Sequence, residues 1–166
     1  MQRVYGVVGW KNMGKTTLVE RLVAEFCARG FRVSTVKHAH HLVDVDHEGK
    51  DSWRHRAAGA GEVLVASETR WALMHELRGA DAPSLTALLT KLAPCDLVLV
   101  EGYKRDAHPK IEVALRPGRD GLIAQDDPTV HAIAAGYAVD GINRPVFELD
   151  DVAGIADFIA QEVGLG

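Results

Sequence analysis

Cysteine is scarce in this 166-residue chain: only Cys27 and Cys95 occur, far apart in sequence. They form no CxxC pair and no disulfide framework, so a cytoplasmic protein with reduced thiols is the simplest expectation. A basic surplus is also missing. Lys and Arg total 19 against 23 Asp and Glu, the formal net charge is -4 and the pI is about 6.0. A nucleic-acid partner normally calls for the opposite balance, so none is expected. No stretch approaches the ~18 apolar residues of a membrane span. The apolar run near the N-terminus is too short for a signal peptide, and it leads into a glycine-bearing motif rather than a small-residue cleavage site. Internal repeats, low-complexity tracts and clear linkers are absent too. What is present is an apolar share of 47%, in a length usual for one domain.

The chain opens with a buried-strand pattern, Val4 to Val8, ending at a glycine. Leu18, Val19, Leu22, Val23 and Phe26 then mark one helical face, which Gly30 closes. Phe31 to Val36 reads as a second strand, so the chain begins as a βαβ unit with a parallel sheet. Residues 38 to 52 are polar and read as a loop, and 52 to 60 as a short helix. Glu62 to Ala66 and Arg70 to Leu77 read as a hairpin around Ser67-Glu68-Thr69. Both arms carry consecutive apolar residues, which suggests burial on both faces, against a second subunit. Leu85, Leu88, Leu89 and Leu92 predict a helix opened by Pro83 and Ser84. Asp96 to Val100, Lys110 to Leu115 and Val130 to Ala135 predict strands, with a turn-rich loop at 116 to 121. Asp150 or Asp151 caps a final helix. The expectation is a single α/β domain, 1–166: a three-layer P-loop NTPase fold with a mostly parallel sheet flanked by helices. A β-hairpin at about 62–77 is inserted in it.

Gly9-Trp10-Lys11-Asn12-Met13-Gly14-Lys15-Thr16 matches G-x-x-x-x-G-K-[ST] in full. The glycines let the backbone curl so that successive N–H groups face phosphate oxygens. The following helix directs its positive end at the same anion. In this reading Gly9 to Thr17 hold a nucleoside triphosphate, Lys15 reaches the β- and γ-phosphates, and the Thr16 hydroxyl meets Mg²⁺. Trp10, and not Lys11, occupies the place of the additional lysine found in the deviant loops of partitioning ATPases.

A metal held at Thr16 needs a second anchor. Glu101 ends the 96 to 100 strand, at the edge where ligands of such sheets bind. Asp46 to Gly49 spells D-x-x-G, which makes Asp46 a further metal candidate on a loop. The same loop is rich in histidine, with His38, His40 and His41 followed by Asp44, Asp46 and His47. A zinc site is conceivable there, without a HExxH or a Cys ligand. The alternative is a loop beside the phosphates, contacting substrate through Lys37, His38, His41, Lys50 and Arg54, or a plain solvated one. No catalytic residue can be named from the sequence.

Four segments in one order carry a family resemblance: GWKNMGKTT, VKHAHHLVDVDHEGKDSWRHRAAGA, VASETRWALMHE and LVLVEGYKRDAHPKIEV. Together they resemble the molybdopterin-guanine dinucleotide biosynthesis adaptor family, MobB, over nearly all of residues 4 to 115. The resemblance implies GTP binding with Mg²⁺, slow GTP hydrolysis at most, and a homodimer with a sheet extended between subunits. It also implies partnership with molybdopterin and a molybdenum cofactor guanylyltransferase. By position, Gly9 to Thr17 would bind nucleotide, Glu101 would sit near the metal and 37 to 54 would line the site. Two departures stand out. No N-K-x-D is present to read guanine by a bidentate carboxylate, and the 131 to 135 strand ends in Gly136 where a polar or acidic residue near the base would be expected. The competing readings are a small-molecule kinase or efficient NTPase, and a metal-delivering P-loop GTPase that uses the histidine loop. A kinase would need a mobile lid with arginines; Arg54 and Arg56 are available, but no long lid segment is evident.

Overall fold

A computed structural model describes residues 2–39 and 46–166. Along the chain the elements are β1 (Val4–Val8), α1 (Lys15–Ala28), β2 (Val33–Lys37), α2 (Asp51–Ala57), β3 (Glu62–Ala66), β4 (Trp71–His75), α3 (Leu85–Leu89), β5 (Leu97–Glu101), β6 (Lys110–Ala114), a 3-10 turn (Ile123–Gln125), β7 (Val130–Ala135), β8 (Val146–Glu148) and α4 (Val152–Val163). These residues form two compact units. One runs up to His38 and resumes at Leu85; the other lies between Ala39 and Ser84.

In the first unit six strands make one sheet in the order β2-β5-β1-β6-β7-β8, and every neighbouring pair is parallel. A parallel sheet is covered on both faces, so its central strands are apolar throughout. Successive residues of β5 therefore serve opposite layers. Leu97 and Leu99 join Tyr5, Val7, Ile111 and Val113 under α1 and α4, where Leu22, Phe26, Ile155 and Ile159 meet them. Val98 and Val100 face the other way, onto Leu85 and Leu89. Farther along that second face, Val8, Ala114 and Ile133 pack under Leu122, Ile123 and Tyr137. The expected α/β architecture, a parallel sheet between helical layers, is the one observed.

The helix ends follow local chemistry. Gly30 takes a φ of 89° just past α1, the left-handed turn that a helix stop favours. The Asp151 carboxylate accepts the Gly154 N–H at 3.0 Å and caps α4. The leucine helix is shorter than its apolar spacing suggests. It ends at Leu89, and the chain goes on in single turns to Leu92, still packed against the sheet. Thr90 donates its hydroxyl to the Ala87 carbonyl, and Pro94 disfavours helix at the residue before it. Strand β8 carries no sequence signal, because three residues after Pro145 are too few to show a period.

Two charged side chains are fully buried on the second face of the sheet. The Lys110 ammonium donates to the Asp106 carbonyl at 2.6 Å and to the Thr129 hydroxyl, with Asp127 at 3.7 Å. The Glu112 carboxylate accepts the N–H groups of Ile123 and Ala124 at 2.9 and 2.8 Å. Burial raises the Glu112 pKa while those two N–H groups oppose the rise. Both residues thus spend their polarity on pinning loops at the sheet, which is how a buried charge is tolerated.

The second unit is α2 with an antiparallel β3–β4 hairpin, in register from Glu62 opposite His75 to Ala66 opposite Trp71. Arg78 fastens the hairpin's exit by donating to the carbonyls of Arg56 and Ala60, both at 2.9 Å. The hairpin falls where the sequence put it, but its burial does not. Val63 is buried, whereas Leu64 and Trp71 are 61% and 67% exposed, and Val65 and Leu73 are exposed too. Within one chain the described residues leave this strip bare.

Candidate functional site

The carboxyl edge of the first sheet gathers most of the residues singled out above. Strand β5 lies between β1 and β2, so the ends of these three strands sit side by side. The connection from β1 runs to β2 on one side and that from β5 runs to β6 on the other, the reversal at which open α/β sheets form a crevice. The loop from Gly9 to Gly14 springs from β1 and delivers the chain into α1.

The loop's backbone is unusual in its signs. Gly9, Asn12 and Gly14 have φ values of 146°, 62° and 97°. A Cβ on Gly9 would lie 2.5 Å from the Val113 carbonyl oxygen, so the loop crosses β6 at a distance only glycine allows. Gly14 is the N-cap of α1 and supplies no side chain to the helix's first N–H groups; no acidic residue stands in the first turn either. The positive end of a 14-residue helix is therefore left for an external anion. Lys15 follows at once, its ammonium donating to the Trp10 carbonyl at 2.8 Å across the loop. Burial lowers the Lys15 pKa; Glu101 opposes this, and the charges of Lys37 and Lys104 add to it. Three ammonium groups thus share one neighbourhood.

Thr16 and Glu101 meet, as the sequence required of a metal-holding pair. The Thr16 hydroxyl donates to Glu101 Oε1 at 2.9 Å. Lys37 completes the group, its Nζ 3.0 Å from the same carboxylate oxygen and 3.2 Å from Thr16 Oγ1. Lys37 and Glu101 are register partners at the ends of β2 and β5, so the sheet itself sets their side chains next to each other. A hydroxyl and a carboxylate oxygen are the hard donors that Mg²⁺ takes, and the donor set fits that ion.

Other candidates are distributed differently. Lys11, Asn12, Thr16 and Thr17 are exposed, while Met13 is buried against the loop near Gly118. His38 continues the β2 ladder by donating its N–H to the Glu101 carbonyl at 2.9 Å, and its ring lies 4.8 Å from that of Tyr103. Asp46, Lys50 and Arg54 belong to the second unit. There the Asp46 carboxylate accepts from Ser52 at 2.9 Å and from Arg56 at 3.3 Å, and Arg54 lies 3.9 Å from Asp51. His41, like His40 and Asp44, lies outside the described residues. Among the described residues no three His, Cys, Asp or Glu side chains are grouped as metal ligands. Among them, too, no helix is long and apolar enough to cross a membrane.

Sequence reasoning missed one residue beside this loop. Lys104, three positions after Glu101, holds its ammonium 4.2 Å from the centre of the Trp10 ring. Trp10 in turn donates its indole N–H to the Gly121 carbonyl at 2.9 Å, tying the phosphate loop to the 116–121 loop. The signal for Lys104 was its place in the turn after a strand-end carboxylate. Beyond Trp10 a narrow cleft opens between Met13, Val113, Arg116, Leu122 and Tyr137. The glycine that ends β7 also gains a reason. A Cβ on Gly136 would stand 2.5 Å from the Leu115 carbonyl oxygen, so no polar side chain can project there.

A parallel sheet with a glycine-bearing loop running from its first strand into its first helix, and oxygen donors at the neighbouring strand end, defines a P-loop NTPase-like α/β protein. Comparison with known proteins narrows this. Residues 4–136 match the family described as molybdopterin guanine dinucleotide synthesis protein B. The molybdopterin-guanine dinucleotide biosynthesis adapter protein of Haemophilus influenzae is 40% identical over 154 residues, covering 93% of this chain and 85% of that protein. The adapter protein of the same name from Escherichia coli is 39% identical over 158 residues, covering 92% and 88%. The crystal structure of a MobB protein homolog from Bacillus stearothermophilus superposes with a TM-score of 0.75 at 30% identity, over 99% of this chain and all of that one. The chain belongs to the MobB family.

Proposed function

We propose that this protein is a GTP-binding adapter in molybdenum cofactor biosynthesis, assisting a guanylyltransferase that converts molybdopterin to molybdopterin guanine dinucleotide. One observation carries the nucleotide part of the reading. The uncapped N-terminus of α1, the Lys15 ammonium and the Thr16–Glu101 pair converge at one strand edge. In this reading Gly9 to Thr17 hold the phosphates, with Lys15 on the β- and γ-phosphates. Thr16 and Glu101 hold Mg²⁺, which neutralises phosphate charge when bound. Asp46 is a further ligand for the metal, and Lys37, His38, His41, Lys50 and Arg54 contact the substrate. The base preference rests on family membership, since the sequence carries no N-K-x-D. Hydrolysis is slow at most, as family membership implies. The whole chain acts as one cytoplasmic nucleotide-binding domain with the 62–77 hairpin inserted in it.

Equilibrium competition tests the nucleotide assignment. Unlabelled GTP should displace a fluorescent guanine nucleotide at concentrations at least about tenfold below ATP, a difference of ~1.4 kcal/mol. Equal displacement by ATP would remove the guanine assignment, and rapid phosphoryl transfer to a small acceptor would favour the kinase reading.

The hairpin supports a homodimer. Leu64, Leu73 and Trp71 lie on one face of β3–β4 and are exposed together, a strip that a second copy can bury. Trp71→Asp with Leu64→Asp should convert the dimer to a folded monomer in sedimentation equilibrium. A wild-type chain that sediments as a monomer at micromolar concentration would contradict the proposal.

A further inference from the structure

Lys37 does more at this edge than line it. Its ammonium touches both of the oxygen donors that a divalent cation would use, at 3.2 Å from Thr16 Oγ1 and 3.0 Å from Glu101 Oε1. The three atoms form a closed triangle, since Thr16 itself donates to the same carboxylate oxygen at 2.9 Å. The placement is built by the sheet. Five consecutive residues of β2 are in register with β5, ending in Lys37 opposite Glu101, and the His38 N–H extends the ladder one step further. Glu101 has only 11% of its side chain exposed, so its charge is poorly served by water and depends on a partner. A triphosphate arriving at the loop would bring further negative charge beside it.

We propose that the Lys37 ammonium stands in for the divalent cation at the Thr16–Glu101 pair, so that a nucleoside triphosphate binds this protein without metal. The proposal rests on the phosphate-loop reading of Gly9 to Thr17. Two like charges cannot share a space where each needs the same oxygens, so metal binding displaces Lys37 and Lys37 weakens metal binding. The hydroxyl of Thr16 has one proton to give and two lone pairs. With Lys37 in place, the proton goes to Glu101 and one lone pair to the ammonium. A metal taking Thr16 and Glu101 would release Lys37 from both oxygens, with the phosphates as the nearest strong acceptor for its three N–H groups. Neutralisation of Glu101 is thus constant, supplied by Lys37 before the metal binds and by the metal afterwards.

The test is equilibrium binding of a fluorescent guanosine triphosphate, in EDTA and in excess Mg²⁺, to wild type and to the Lys37→Met, Lys37→Arg and Lys15→Ala variants, each checked by circular dichroism. Wild type should lose less than about fivefold in affinity on metal removal. Lys37→Met should lose at least about tenfold more than wild type in EDTA, because Glu101 then faces the phosphates unpaired. Lys37→Arg should recover most of that loss. Mn²⁺ titration of the nucleotide-loaded protein, read by electron paramagnetic resonance, should show several-fold tighter metal binding in Lys37→Met. The proposal is overturned if Lys37→Met matches wild type in EDTA, or if wild-type binding collapses without metal. Should wild type bind no nucleotide, or bind it equally well as Lys15→Ala, the phosphate-loop reading itself falls and takes the proposal with it. The two failures are therefore separable.

Discussion

Lys15→Ala is expected to weaken nucleoside triphosphate binding by about 100-fold or more, ~2.7 kcal/mol, while leaving the fold intact. The loss follows from what Lys15 touches. Its ammonium makes one hydrogen bond, to the Trp10 carbonyl, and that bond spans the loop without entering the core. The ammonium is already partly desolvated, with Lys37 and Lys104 adding to the fall in its pKa. Such a cation gains most from an anion, and a charge-assisted bond to phosphate is roughly twice as strong as a neutral one. Alanine removes that bond and one of three positive charges at the edge, but no buried contact of α1, whose core face is Leu18, Val19, Leu22 and Phe26. Helix propensity even improves slightly. Calorimetric titration should show the loss of affinity, and the urea midpoint should stay near that of wild type. A variant that binds normally would mean that the phosphates lie elsewhere.

The second large effect is on stability. Gly9→Ala is expected to destabilise the protein by about 3 kcal/mol, combining backbone strain with a clash. At a φ of 146° an alanine is strained wherever it has room, and here it has none: its Cβ would stand 2.5 Å from the Val113 carbonyl oxygen. That oxygen is on the backbone of a central strand whose neighbours on both sides are paired, so it cannot move aside like a side-chain end. Gly14 makes a useful contrast. Its φ of 97° is also left-handed, but the nearest contact to a Cβ is the Val113 Cγ1 at 3.7 Å, an ordinary distance. Gly14→Ala should therefore cost only the conformational part, about 1–2 kcal/mol. Urea denaturation of the two variants checks the ranking. Equal losses would show that the approach to Val113 contributes nothing.

The first glycine of the motif is thus demanded by packing and the second by conformation alone, a distinction no pattern of letters contains. Other parts of the fold were more readable. Apolar runs as plain as Leu97 to Val100 name a buried parallel strand, and the stripe from Leu18 to Phe26 names a helix face, because burial on two faces and on one leave different periods. The order of strands was not readable. It places Lys37 next to Glu101 across 64 positions in sequence (~22 nm of extended chain), and no local signal marks such a pairing. The metal-side pair Thr16 and Glu101 could be named, since one belongs to a motif and the other ends an apolar strand. Lys104 could not, as a lysine in a turn is usually solvated. The hairpin's apolar residues predict burial on both faces, whereas Leu64, Val65, Trp71 and Leu73 are exposed. Asp46 is spaced from Gly49 as in D-x-x-G, and its carboxylate accepts from Ser52 and Arg56 in the second unit.

Molybdopterin guanylylation by the partner transferase, measured with and without this protein at limiting GTP, tests the adapter reading most directly. Wild type should raise the initial rate, Lys15→Ala should not, and the protein alone should turn over little GTP. Stimulation by Lys15→Ala equal to that of wild type would contradict that reading, because the protein would then be helping its partner without holding nucleotide.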